Sequence, residues 1–179
     1  AAFNALDMDR KDLVTGELTD LNLGTFGAIR HLKGATTTLT PLLQTTQDTM
    51  EIELAKVKGS PNPDELLRDF AKSGVRYTVA ARIQGPIKSA FVVPPPPTLP
   101  ADGSLAKPLP PQLKETKGPA NIILVADSDL FNDSFWAQVQ ELEGQRVPVA
   151  VADNHILVLN SIENLTGSSD LISLRSRGT

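Results

Sequence analysis

A continuous apolar run from Ile122 to Ala126, ending at Asp127, constrains the fold of this chain more than any other feature. A strand without a polar side has no face to turn to water, so the run predicts a central β-strand covered on both faces. The segment after it carries a capping residue, Asn132, and apolar residues at helical spacing, which predicts a helix over 132–143. The order strand, turn, helix is typical of a layered α/β protein.

The same order occurs again towards the end of the sequence. An apolar strand is predicted over 147–152 and a helix over 154–166, with Val158, Ile162 and Leu165 as its buried stripe. Two such helices can cover both faces of a sheet. We therefore predict an α/β fold with a single mixed β-sheet flanked by helices, in the layering of flavodoxins and amidotransferases.

The first half of the chain gives weaker signals. Apolar and β-branched residues predict strands over 14–23, 36–43, 51–57 and 75–84, of which the last is the clearest. A helix over 63–72 is predicted because Pro63 suits a first helical turn and the carboxylates of Asp64 and Glu65 favour the positive end of the helix dipole. Its buried side would be Leu66, Leu67 and Phe70.

Residues 94–111 contain eight of the chain's fourteen prolines. This composition excludes a helix or a central strand, so we predict a proline-rich loop over 94–118 within one α/β domain of residues 1–179. A docking peptide for an SH3-like partner is the alternative. A surface loop or spacer is favoured because such partners are rare outside eukaryotic signalling.

The amino-acid composition and the absence of known motifs exclude several classes of function. The formal net charge of −4 argues against a nucleic-acid-binding protein, and the absence of cysteine excludes disulfides, thiolate metal sites and a cysteine nucleophile. The sequence contains no Walker A motif, no G-x-S-x-G nucleophile elbow and no zinc-ligand spacing. We expect no catalytic residue, no metal and no cofactor.

Acidic and amide side chains gather after the two predicted strands. Asp127, Asp129 and Asp133 follow the first strand, where open α/β sheets place ligands and Mg²⁺. Carboxylates at such turns also accept hydrogen bonds from free backbone N–H groups, and this interpretation is favoured. The second group consists of Asp153 and Asn154 with Asn160, Asn164 and Asp170. It predicts either a surface for a ligand or partner, or a capped helix with a solvated side, and the capped helix is favoured. Two basic residues near the end, Arg175 and Arg177, complete the candidate surface.

Several segments carry a resemblance to a known family. VADSDLFNDSFW at 125–136, ADN at 152–154 and LNSIENLTGSSDLISLRSRG at 159–178 match in order, and LTDLNLGTFGAI, TPLLQTT and YTVAARIQGPIKSAF match less closely. The chain resembles the extracytoplasmic domain of GldG-like auxiliary proteins of ABC-type transport systems, a group that includes a gliding-motility component.

The resemblance implies a non-catalytic binding or scaffolding domain. It would lie at the periplasmic face of the bacterial inner membrane, associated with an ABC permease and ATPase, and be tethered by membrane segments outside this sequence. The sequence is accordingly expected to be a piece of a longer membrane-anchored protein, since it has no signal peptide and no apolar run long enough to span a bilayer. Two alternatives are a small-ligand or solute-binding domain and a degenerate amidotransferase-like enzyme.

Overall fold

The structure, a computed structural model, describes residues 1–59, 62–91, 93, 111–142 and 144–167. In that part of the chain lie three small, separate antiparallel sheets and one helix longer than two turns. The predicted single mixed sheet flanked by helices is therefore wrong. The prediction that residues 1–179 form one domain stays a prediction.

The largest sheet has three strands: β3 (Thr38–Gln44), β4 (Thr78–Gly85) and β5 (Ala120–Val125), in the order β3-β4-β5. The strands predicted over 36–43 and 75–84 are thus confirmed with shifted ends. The apolar run forms β5 as predicted, but β5 lies at the edge of the sheet, with Leu124 43% exposed. The prediction that this strand is central is wrong, because no strand of the described chain pairs with the other side of β5.

The helix predicted over 132–143 is also wrong. Asp129–Phe131 and Asp133–Phe135 form single 3₁₀ turns, and the chain continues as a hairpin of β6 (Ala137–Leu142) and β7 (Gln145–Ala150). Apolar and polar residues alternate over 137–140 (AQVQ), which is the period of a strand. Gly144 adopts a φ of +78°, a conformation that tight hairpin turns need and that glycine adopts without strain.

The helix predicted over 154–166 is confirmed as α3 (Asn154–Leu165), but its predicted buried stripe is wrong. Ile162 and Leu165 are 55% and 45% exposed, and the buried residues are Asn154, Leu157 and Asn160. The predicted strand 51–57 is wrong, because it contains the short helix α1 (Leu54–Val57). The predicted helix 63–72 begins correctly as α2 (Pro63–Arg68), capped by Asn62 Oδ1 at 3.1 Å from Asp64 N. It ends early, and its supposed buried residue Leu67 is 73% exposed.

The remaining strands, β1 (Ala2–Asn4) and β2 (Asp20–Asn22), pair with each other near the start of the chain. The predicted strand 14–23 is therefore mostly loop. The core lies between this pair, the three-stranded sheet and α3. It is formed by apolar side chains that are almost inaccessible to water: Phe3, Met8, Val14, Leu18, Leu21, Leu23, Leu42, Leu43, Val79, Ala80, Leu130 and Leu157.

Of the predicted proline-rich loop, residues 94–110 lie outside the described residues. Its last part pairs with the residues that follow β4: Ser89 N donates to Lys114 O at 2.8 Å, and Thr116 N donates to Ile87 O at 2.9 Å. Among the described residues, no helix is long and apolar enough to cross a membrane.

Candidate functional site

Two turns bring most of the predicted site residues together. The first follows β5 and contains Asp127 and Asp129; the second follows β7 and contains Asp153 and Asn154. Side chains of both turns reach the same segment, Thr19–Thr25, which includes β2. We call these four side chains the clamp.

The second turn holds the first half of that segment. Asp153 Oδ2 accepts hydrogen bonds from Thr19 N at 2.7 Å, from Thr19 Oγ1 at 3.0 Å and from Asp20 N at 3.3 Å. Asn154 is fully buried and bonds both backbone groups of one residue: its Oδ1 accepts from Asn22 N at 3.0 Å, and its Nδ2 donates to Asn22 O at 2.7 Å. The amide of Asn154 thus takes the place of a neighbouring strand at the side of β2 away from β1.

The first turn holds the second half. Asp127 is buried, and its Oδ2 accepts from Gly24 N at 2.9 Å while its Oδ1 accepts from Asp129 N at 2.9 Å. Asp129 Oδ2 accepts from Thr25 N at 3.3 Å and from Thr25 Oγ1 at 3.1 Å. The carboxylates of Asp127 and Asp129 therefore accept backbone hydrogen bonds. The donors on Thr19–Thr25, however, lie 103 to 134 positions away along the chain.

The other predicted site residues lie apart from the clamp. Asn160 is buried, and its Nδ2 donates to Val14 O at 3.1 Å. Asp133 is exposed on the 3₁₀ turn before β6. Asp170, Arg175 and Arg177 lie outside the described residues.

The clamp is built to hold a loop, and its geometry is unlike that of a metal or cofactor site. Buried polar atoms need hydrogen-bond partners, and the acceptor oxygens of the two buried residues, Asp127 and Asn154, face backbone N–H groups. No group of three or more histidine, aspartate or glutamate side chains among the described residues is arranged to hold a metal ion. His155, one residue beyond the clamp, stacks on Trp136 with ring centroids 4.8 Å apart.

A buried ion pair near the end of α3 was not predicted from the sequence. Arg82 on β4 forms two hydrogen bonds with Asp12: Nε to Oδ2 at 2.7 Å and Nη2 to Oδ1 at 2.8 Å. Its Nη1 donates to Asn121 Oδ1 at 2.9 Å and to Asn164 Oδ1 at 2.8 Å. The signal in the sequence is a charged residue inside an apolar strand, since such a residue must find a partner when the strand is buried.

The contact between Gly24 and Asp129 gives a first prediction. A Cβ at position 24 would overlap Asp129 Oδ2 and lie 2.8 Å from Asp129 Cβ. In Gly24→Ala the aspartate must move and release Thr25, so we expect a loss of about 1–3 kcal/mol in the free energy of unfolding. Urea titration measures it. Gly118→Ala is the control, because a Cβ at position 118 would meet no atom within 4 Å. Equal unfolding midpoints for the two variants would contradict the clamp.

Comparison with known proteins assigns the class of the chain. The family described as ABC-type uncharacterized transport system, a family of auxiliary components, matches residues 2–161. The match covers most of the chain and includes β1 to β7, all four clamp residues and most of α3. The chain therefore belongs to this auxiliary family of ABC-type transport systems. No curated protein and no solved structure matches it significantly.

Proposed function

We propose that this chain is a non-catalytic extracytoplasmic binding or scaffolding domain of an ABC transport complex, associated with its permease and ATPase, as in the GldG-like proteins that it resembles. The family match over residues 2–161 carries the proposal. It is supported by the clamp, in which the polar groups expected at a catalytic or ligand-binding edge bond the backbone of Thr19–Thr25 instead. A buried acceptor already facing an N–H group is not available to a substrate.

A solute-binding function is the second candidate, and one cavity bears on it. A cavity of about 270 Å³ lies between Leu6–Asp9 and β3, with Arg76 at its wall. The charged groups of its lining already have partners within the protein: Arg76 Nη2 lies 3.5 Å from Asp7 Oδ1, and Asp9 Oδ1 accepts from Lys11 N at 2.9 Å. These contacts favour scaffolding over solute binding. A thermal-shift screen with sugars, peptides and metal ions separates the two, since only a solute-binding domain is stabilised by its ligand.

The proposed contact with the transport complex lies on the exposed side of the two turns. Phe131, on the 3₁₀ turn after Asp129, is 71% exposed, and Asp133 beside it is exposed as well. Aromatic residues, phenylalanine among them, are enriched at protein interfaces relative to the rest of the surface. The clamp residues behind it fix the turn, so charge reversal at Asp129 or Asp153 would disturb folding as well as binding.

The test is therefore made at the exposed residues. We expect the double variant Phe131→Ser with Asp133→Lys to fold normally and to lose most of its co-purification with the tagged permease from solubilised membranes. Loss of an interface anchor costs about 2 kcal/mol or more, roughly thirtyfold in affinity. Phe91→Ser is the control, because Phe91 is 73% exposed but lies on the other connection, between β4 and β5. Full recovery of the permease by a folded double variant would remove this turn from the interface.

A further inference from the structure

We propose that β5 pairs edge to edge with β5 of a second copy of this chain, so that two three-stranded sheets become one six-stranded antiparallel sheet about a twofold axis. This pairing is independent of the transport function proposed above. The strand Ala120–Val125 contains no charged residue and no proline, the two devices that most often protect a sheet edge from another strand. Among the described strands, β5 has a neighbour on one side only.

The backbone of β5 is prepared for this pairing. Ala126 N donates to Val79 O at 2.9 Å, and residues of an antiparallel pair alternate between bonding the neighbour and pointing away from it. The N–H and C=O groups of Asn121, Ile123 and Val125 therefore point away from β4. A twofold axis at Ile123 places Ile123 opposite itself and Asn121 opposite Val125 of the second copy. All six outward groups of each strand are then paired.

The exposed side chains of β5 are self-complementary in the same register. Ile122 and Leu124 are 41% and 43% exposed on one face of the sheet. With the axis at Ile123, Ile122 lies directly opposite Leu124 of the second copy, and directly opposed apolar pairs stabilise antiparallel strands. The row of Leu39, Ile83 and Ile122 that already crosses the sheet would continue into the second copy.

Charges at the two ends of the strand favour the antiparallel arrangement. The exposed Lys117 precedes β5, and Asp129 follows it, only partly buried. Antiparallel pairing brings the basic end of one copy to the acidic end of the other, whereas parallel pairing would place like charges together. In the dimer β5 lies between two strands, a position that suits a run of apolar residues.

Light scattering over a range of protein concentrations tests the pairing. We expect a dimer that dissociates on dilution, with Leu124→Lys weakening dimerisation about tenfold or more, because two lysines replace the apolar pairs. Leu159→Lys is the control, since Leu159 on α3 is 44% exposed. A second pair of variants changes charge alone: Lys117→Glu should weaken the dimer, and Lys114→Glu in the same loop should not. A monomer at every concentration, or equal effects of variant and control, would overturn the proposal.

The absence of cysteine from the chain allows a clean test of register. On mild oxidation the double variant Ile122→Cys with Leu124→Cys should form a disulfide-linked dimer, because facing residues of a non-hydrogen-bonded pair lie about 4.5 Å apart at Cα, within disulfide range. Either single variant should cross-link far less, since identical positions do not face each other in this register. Efficient cross-linking of Ile122→Cys alone would contradict the axis at Ile123.

Discussion

Replacing Arg82 by methionine is expected to lower the free energy of unfolding by about 3 kcal/mol, because it leaves the carboxylate of Asp12, whose side chain is 11% exposed, without its counter-charge. Arg82 is buried, and its side chain joins four parts of the chain that are far apart in sequence: β4, the loop at Asp12, the start of β5 and the end of α3. Methionine fills similar space but donates no hydrogen bond. Asp12 and the amide oxygens of Asn121 and Asn164 would then lose their donors.

The pH dependence of stability gives this prediction a second readout. Burial by itself raises the pKa of Asp12, but hydrogen bonds from Arg82 and from Val14 N, with the guanidinium charge, outweigh it and hold the pKa below the ordinary aspartate value. A carboxylate with a depressed folded pKa contributes stability above its unfolded pKa, about 3.9, and that contribution disappears as the pH falls through the folded pKa. Asp12→Asn should therefore flatten the loss of stability below about pH 4.

Urea unfolding at several pH values measures both effects. Arg30→Met is the matched control, because Arg30 pairs with Glu51 with 63% and 50% of the two side chains exposed, and such pairs contribute about 0–1 kcal/mol. If Arg82→Met and Arg30→Met shift the unfolding midpoint equally, the Arg82 cluster does not hold these elements together. An unchanged pH profile in Asp12→Asn would remove Asp12 from the acid-sensitive groups.

Elements with agreeing local signals were predictable from the sequence. α3 has apolar residues at helical spacing over three turns, and β4 has strong alternation in VRYTVAARIQ. The segment after Asn132 was ambiguous, because Phe135, Val139 and Leu142 suit a helix while AQVQ suits a strand. The segment forms a strand because it pairs with residues 145–150. The pattern of residues within the segment does not contain the free energy of that pairing, so it could not distinguish the two structures.

Sheet order and the clamp depend on contacts that are distant in sequence. The apolar composition of β5 predicts burial on both faces, but it does not report the order of strands in the sheet. In the structure β5 lies at the edge, with Ile122 and Leu124 41% and 43% exposed. The sequence predicts that the side chains of Asp153 and Asn154 either cap a helix or form a surface for a ligand or partner. The backbone groups that these side chains bond, on Thr19–Thr25, could not be predicted. They lie 132 to 134 positions earlier in the chain, and no pattern in the sequence connects the two segments. Residue type predicted the hydrogen-bonding role, and only the fold identified the partner.

Asn154→Ala is expected to be similarly damaging, with a loss of about 2–4 kcal/mol, since each buried polar group left unsatisfied costs about 1–3 kcal/mol. Asn154 is fully buried, and its amide is bonded to both the N–H and the C=O of Asn22. Alanine supplies neither partner, and the small cavity that it leaves is enclosed by protein. The effect should be concentrated at β2, whose opposite side is paired with β1.

Amide hydrogen exchange locates the damage, and urea unfolding measures its size. In Asn154→Ala the amide of Asn22 should exchange much faster, while amides of β4 should change only as far as global stability falls. Asn132→Ala is the control: Asn132 is exposed and caps a 3₁₀ turn through Ser134 N at 3.1 Å, so its loss should cost about 1 kcal/mol and leave Asn22 protected. The contrary outcome is an Asn154→Ala variant that is destabilised but still protects the amide of Asn22 from exchange. In that case β2 is held by its pairing with β1 and by the core residues Leu21 and Leu23, and the clamp contributes little to its position.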